Sequence, residues 1–147
     1  MKRLLFVCLG NICRSPAADG IARTIASHRG LDWEVDSAGT GGWHIGDPPD
    51  ARMVEAAAAR GIDLSPLRAR QAAPEDFVHF DHVYAMDRNN FSNLTKIRPP
   101  GTGASLDLFL SDAEVPDPYY GGAEGFDHVL DLISARMETL FDQLTAS

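Results

Sequence analysis

Cysteine is scarce in this 147-residue chain, where Cys8 and Cys13 are the two thiols. Two cysteines cannot build a disulfide scaffold, and their spacing is not that of a zinc site. Free thiols suit a reducing compartment, so a cytoplasmic location is expected. Basic residues are also in deficit: 13 Lys and Arg face 21 Asp and Glu, for a net charge of −8. That balance argues against a nucleic-acid backbone or an anionic membrane surface as the main partner. No stretch approaches the length of a membrane span. The opening MKRLLFVCLG superficially resembles a signal peptide, but its apolar run stops at Leu9 and Gly10-Asn11 follows. That is short for such a segment, no small-residue cleavage site follows, and a strand is the better reading. Internal repeats and low-complexity tracts are missing too. What is present, 44% hydrophobic residues, is enough to build one core, and a single domain over 1–147 is expected.

The chemistry concentrates in CLGNICRS, Cys8 to Ser15. Cys8 and Arg14 are separated by five residues, a loop that can curl so that successive backbone N–H groups converge. At a helix N-terminus such a loop binds a phosphate-like dianion, and its positive field favours the thiolate form of a cysteine. An arginine closing the loop adds a planar two-pronged donor for phosphoryl oxygens. A lone cysteine also serves as a small buried hydrophobe. The context favours the anion loop: apolar Leu4-Leu5-Phe6-Val7 before it, Gly10 and Asn11 within it, and Ser15-Pro16 after it. Ser15 suits an N-cap and Pro16 the first helical position. The chain lacks the Gly-Lys-Ser/Thr ending of a nucleotide-binding P-loop.

Along the chain, strands alternate with helices. Residues 3–8 read as a buried strand, and 16–29 as a helix with Ala18, Ile21, Ala22 and Ile25 on one face, ended by Gly30. Residues 33–37 read as a second strand, followed by a glycine-rich loop from Ser37 to Gly46. Asp47-Pro48 is a candidate helix start, continued from Ala51 to Arg60 with Gly61 as a stop. Residues 62–73 are irregular, and Pro74-Glu75-Asp76 opens a short helix. His82 to Met86 reads as strand three, Asp87 to Thr95 as a further short helix, and 106–109 as strand four. Phe126, Val129, Leu130, Ile133, Met137, Leu140, Phe141 and Leu144 form the stripe of a final helix packed on a sheet. This alternation predicts a parallel α/β sheet covered on both faces. Its ligands belong beyond the carboxyl ends of the strands, where the Cys8 loop lies.

A thiolate attacking phosphorus needs a proton donor for the leaving oxygen. Asp117 is a candidate, held between Pro116 and Pro118 in VPDPYYGG. An Asp-Pro pair is also an ordinary turn. Tyr119 and Tyr120 follow, either lining a cleft for an aromatic ring or half-burying the loop.

CLGNICRSP together with DPYYGG closely resembles the low-molecular-weight protein tyrosine phosphatases. DSAGTGGWHIG, the Asp50-x-Arg52 pair, Arg70-Gln71 and MDRNN at 86–90 resemble further segments of that family, so the likeness spans nearly the whole chain. It implies a flavodoxin-like three-layer sandwich with four parallel strands and helices on both faces. It also implies metal-independent, cofactor-free hydrolysis of phosphotyrosine in proteins through a phosphocysteine intermediate, releasing inorganic phosphate. By that resemblance Cys8 is the nucleophile and Asp117 the general acid, then base. Arg14 and the N–H groups of Leu9, Gly10, Asn11, Ile12, Cys13 and Arg14 bind the phosphoryl group. Asn11, Ser15 and Ser37 support the loop. Trp43 and Tyr119, with Tyr120 beside them, line the substrate slot. Cys13 has two readings, a reversible redox partner of Cys8 as in the family or a buried side chain under the loop.

The sequence departs from the family at Pro66-Leu67-Arg68, where many relatives carry a histidine after Leu-Ser. His44, His79 and His82 receive no role by resemblance. The runner-up, an arsenate reductase on the same scaffold, needs relay cysteines in a later segment, and none follows Cys13. A binding-only phosphate module is disfavoured by the presence of both Cys8 and Asp117.

Overall fold

The computed structural model describes residues 1–119 and 121–146. The chain runs β1 (Arg3–Cys8), α1 (Arg14–His28), β2 (Glu34–Gly39), α2 (Ala51–Ala58), α3 (Asp76–His79), β3 (His82–Ala85), α4 (Arg88–Ile97), β4 (Ser105–Leu108) and α5 (Ala123–Ala146). The strands form one all-parallel sheet in the order β2-β1-β3-β4. The parallel sheet is what the alternating pattern predicts, and its four-stranded flavodoxin-like form is what the family resemblance implies.

Strand β1 is central and buried on both faces, so it reads as a continuous apolar run rather than an alternating one. Leu4 and Phe6 point to the layer of α1, α2 and α5, where they meet Ala18, Ile21, Phe126, Val129 and Ile133. Leu5 and Val7 point to the layer of α3 and α4, against Phe77, Phe80 and Leu94. The α5 stripe is buried from Phe126 to Phe141, with Leu144 packed at its margin. Among the described residues no helix is long and apolar enough to cross a membrane.

Several boundaries differ from the sequence reading by a few residues, and three of them bear on the site. Strand β2 continues to Gly39, because its pairing with β1 runs through Cys8↔Gly39. Helix α2 begins only at Ala51: Asp50 caps it by accepting from the Arg52 N–H, which leaves Pro48 and Pro49 outside. Helix α1 begins at Arg14, so Ser15 and Pro16 lie inside its first turn and Ser15 is not its N-cap. The Ser15 hydroxyl is instead drawn away from the helix end, toward Cys8 and Asn11.

All three central features of the site follow from parallel topology. Cys8 ends β1, Met86-Asp87 follow β3, and the 109–119 segment follows β4, all at one end of the sheet. The β4 exit is tied in by Phe109 N–H donating to Ala85 O and Val115 N–H donating to Met86 O, both at 2.8 Å.

Candidate active site

The loop from Leu9 to Cys13 joins β1 to α1 in one tight turn. Asn11 lies at its apex with φ of 58°, a left-handed conformation that Asn tolerates better than most residues. Its N–H donates to Cys8 Sγ at 3.3 Å. Its side chain holds the curl together: Nδ2 donates to Ser15 Oγ at 2.8 Å and to Ser37 Oγ at 3.0 Å, while Oδ1 accepts the Arg70 N–H at 3.0 Å. Ser15 Oγ thus accepts from Asn11. Its own proton has two acceptors in reach, Cys8 Sγ at 3.0 Å and Ala38 O at 3.3 Å.

The end of β2 forms the floor beneath this turn. Thr40 N–H donates to Cys8 O and Gly41 N–H to Leu9 O, each at 2.9 Å. A Cβ on Gly39 would sit 2.8 Å from Leu9 O, so only glycine allows the two backbones this approach. Arg70, which braces Asn11 through its N–H, is itself fixed by Asp36 at 3.0 Å and by a two-pronged pair with Asp76 at 3.1 Å.

Arg14 is 2% exposed, yet its guanidinium opens onto the loop. Nη1 donates to Asp87 Oδ2 at 2.7 Å and to Val115 O at 3.1 Å. Nη2 lies 3.7 Å from Asp117 Oδ2. Burial works against the charge, but Cys8, Asp87 and Asp117 outweigh it, so the group stays cationic. Asp117 Oδ1 accepts the Tyr119 N–H at 3.0 Å, which steadies the carboxyl within its own turn.

Cys8, Leu9, Gly10, Ile12, Cys13, Arg14, Trp43, His44, Asp117 and Tyr119 line one cleft of about 310 Å³. Trp43 projects from it, 72% exposed, its ring filling the space above Gly41. The structure therefore brings Cys8, Arg14, Trp43, Asp117 and Tyr119, candidates from three separate stretches of sequence, to one cleft. Asn11, Ser15 and Ser37 stand behind the cleft wall rather than in it. Tyr120, expected in the slot, lies outside the described residues. Cys13 is buried beside the loop. Burial foremost, then the nearby Asp50, Cys8 and Asp117, pushes its thiol well above the ordinary range, with Arg52 opposing.

Four contributors escaped the residue-level reading. Asp87 pairs with Arg14, and its signal was the MDRNN motif. Arg70 supports Asn11 through its backbone N–H, and its signal was the Arg-Gln pair. His44 lies against Gly10 in the cleft wall with Nδ1 3.2 Å from Asp47 Oδ2, and its signal was its place beside Trp43, although the resemblance gave it no role. Arg52 reaches the Asp117 loop by donating to Tyr119 O at 3.0 Å. Of the other histidines, His79 pairs with Glu34 and His82 with Ser105, away from the cleft.

Fold and site together define an α/β protein that sets a cysteine at the base of an anion-cradling loop, with an arginine and a carboxyl facing it. The family model for low molecular weight phosphotyrosine protein phosphatase matches residues 3–147. A low molecular weight phosphotyrosine protein phosphatase of Schizosaccharomyces pombe is 43% identical over 84% of this chain and 85% of its own. The low molecular weight protein-tyrosine-phosphatase YfkJ of Bacillus subtilis is 42% identical over 95% of this chain and 94% of its own. A crystal structure of protein tyrosine phosphatase from Entamoeba histolytica superimposes with a TM-score of 0.94 at 36% identity, covering 99% of this chain and 98% of that one. The chain belongs to the low molecular weight phosphotyrosine protein phosphatase family.

Proposed function

We propose that this protein hydrolyses phosphotyrosine in proteins by a two-step transfer through Cys8, acting as one cytoplasmic domain. The carrying observation is the position of Cys8 Sγ. It accepts from Asn11 N–H, lies beside the Ser15 hydroxyl, and opens onto the cleft that Arg14 and Asp117 share.

In the first step the Cys8 thiolate attacks phosphorus and the bond from phosphorus to the phenolic oxygen breaks. The Asp117 carboxylic acid gives its proton to that oxygen, so a neutral phenol departs. Arg14 and the loop N–H groups follow the three equatorial oxygens as their charge shifts. In the second step water attacks the phosphocysteine, losing its proton to the Asp117 carboxylate. The S–P bond breaks, inorganic phosphate leaves, and the Ser15 hydroxyl hydrogen-bonds the departing thiolate. Asn11 and Ser37 hold the loop in its left-handed apex throughout. Trp43 and Tyr119 flank the entrance and accept the flat ring between them.

Cys13 is the proposed redox partner. When peroxide converts Cys8 to a sulfenic acid, condensation with the Cys13 thiol forms a disulfide and releases water, which blocks further oxidation. A dithiol restores both thiols.

The test is turnover of p-nitrophenyl phosphate and phosphotyrosine peptide in the presence of a chelator, for wild type and Cys8→Ser. Wild type turns over with no loss to the chelator. Cys8→Ser is inactive but still binds inorganic phosphate. Full turnover by Cys8→Ser defeats the proposal. Asp117→Asn lowers kcat/KM by about a hundredfold or more for phenyl phosphate, whose leaving group needs the proton, and by less for p-nitrophenyl phosphate.

A further inference from the structure

Arg52 lies outside the cleft lining, yet it makes contacts in three elements around the site. It occupies the first turn of α2, and its guanidinium folds back onto the residue that caps that helix. Nε donates to Asp50 Oδ1 at 3.0 Å and Nη2 to Asp50 Oδ2 at 2.8 Å. The same Nη2 donates to Tyr119 O at 3.0 Å. The guanidinium carbon also stands 5.4 Å from the Tyr119 ring centroid and 4.7 Å from that of Phe126, within cation–π range of both.

Each end of this arrangement reaches the chemistry by one further hydrogen bond. Asp50 N–H donates to Ile12 O at 2.8 Å, which fixes the start of α2 to the anion loop. Tyr119 N–H donates to Asp117 Oδ1 at 3.0 Å, which fixes the carboxyl to the segment Arg52 holds. A continuous path therefore runs from the loop that receives phosphorus to the acid that protonates the leaving oxygen: Ile12, Asp50, Arg52, Tyr119, Asp117. Most of the acid's segment has little packing of its own. Pro116, Asp117 and Tyr119 are exposed, and Pro118 is the buried point between them. In such a segment the single bond from Nη2 to Tyr119 O and the guanidinium over the Tyr119 ring, aimed by the two-pronged pair with Asp50, set position more than bulk packing does.

We propose that Arg52 is a positioning residue for the general acid, holding the Asp117 segment at a fixed distance from the phosphate-binding loop. The proposal rests on the phosphatase reading of the site and adds a residue that touches neither substrate nor the reacting atoms. It predicts a loss confined to the step in which a proton is given to the leaving oxygen. A purely structural role for Arg52 would instead damage phosphate binding and acid transfer together.

The experiment compares kcat/KM for phenyl phosphate and p-nitrophenyl phosphate in wild type, Arg52→Ala, Arg52→Lys, Asp117→Asn and the Arg52→Ala/Asp117→Asn double variant. Competitive inhibition by inorganic phosphate is measured on each. Arg52→Ala should lower kcat/KM for phenyl phosphate by about tenfold, a fraction of the full general-acid contribution, and for p-nitrophenyl phosphate by about threefold or less. The phosphate inhibition constant should stay within about twofold of wild type, because the loop keeps its own supports. Arg52→Lys keeps the charge without the fork and should fall between. In the Asp117→Asn background, Arg52→Ala should cost less than about twofold more, since the acid it positions is already gone. Equal losses for the two esters, weaker phosphate binding in parallel, full additivity in the double variant, or no loss in Arg52→Ala would each overturn the proposal. Wild-type turnover and its abolition in Cys8→Ser test the phosphatase reading separately, whatever Arg52 does.

Discussion

Arg14 and Asp87 form a largely buried ion pair, with Nη1 2.7 Å from Oδ2 and side-chain exposures of 3% and 20%. The same carboxylate caps α4: Asp87 Oδ1 accepts the Asn90 N–H, and Asn90 Oδ1 accepts the Asp87 N–H in return. One aspartate thus aims the cleft arginine and starts the helix after β3. Asp87→Asn keeps an acceptor for the cap but removes the charge. It should lower stability by about 1–3 kcal/mol, the cost of leaving a buried charged donor poorly matched. It should also lower kcat/KM by about tenfold, through an arginine freed to turn, as a lost charge-assisted bond of about 1.4 kcal/mol would. Urea unfolding and steady-state kinetics check both, and unchanged kinetics would confine the pair to folding.

Asn11 combines a backbone and a side-chain duty that two substitutions can separate. Its φ of 58° strains any residue with a Cβ, while its amide makes three hydrogen bonds. Asn11→Gly relieves the backbone and loses the bonds; Asn11→Ala loses the bonds and keeps the strain. Asn11→Ala should be the less stable of the two by about 1 kcal/mol in urea unfolding. Both should lose turnover, because the Ser15 proton is no longer directed by an Asn11 donor. A fully active Asn11→Gly would show that the curl needs only its backbone geometry.

Cys13 should react slowly as a thiolate and faster as pH rises. Its proton is held by burial first and by neighbouring negative charge second, so its thiolate fraction at neutral pH is small. Below that raised pKa the fraction grows about tenfold per pH unit, and closure onto an oxidised Cys8 should accelerate with it until another step limits. Peptide mass mapping after a peroxide pulse at pH 6, 7 and 8 gives the rate. Activity recovered with dithiothreitol should be high in wild type and low in Cys13→Ala. Equal recovery in the two removes Cys13 from protection.

His82 gives the fold a pH-dependent contribution away from the cleft. Its ring is partly buried with Nδ1 2.8 Å from Ser105 Oγ. Burial first and Lys2 second lower its pKa below the ordinary 6.5, against a raising effect of Asp81 and Asp107. The unfolded chain therefore binds the proton more readily than the folded one. The stability this group contributes is full above pH 6.5 and is lost as pH falls through the depressed folded value. His82→Gln should flatten the decline of the urea midpoint with falling pH below 6.5, relative to wild type. Parallel declines in the two proteins would exclude His82 as a contributor.

The sheet and its order of elements were legible because β1 is apolar throughout and α5 carries a long periodic stripe. Both signals are local. The loop was legible for the same reason, since Cys8, Asn11 and Arg14 sit within seven consecutive residues. Asp117 was reachable through the two prolines around it. The partners that hold these groups were harder to read. Asp87 meets Arg14 only because β3 pairs beside β1, and Arg70 meets Asn11 only because the chain after α2 returns along the end of β2. Such contacts depend on strand register, which no local window carries. The helix-cap reading of Ser15 failed for a related reason. A serine before a proline signals a helix cap, but here the anion loop winds directly into the helix and claims the hydroxyl for Cys8 and Asn11.

The indole of Trp43 rests where a Cβ on Gly41 would be, 1.8 Å from its Cζ3 atom. One glycine is therefore the saddle for this exposed indole, and any side chain there would unseat it. In Gly41→Ala the entrance should widen, and the ratio of naphthyl to phenyl phosphate turnover should rise. Breadth of substrate choice would then be set by a single hydrogen atom on the backbone, one strand's end away from the sulfur.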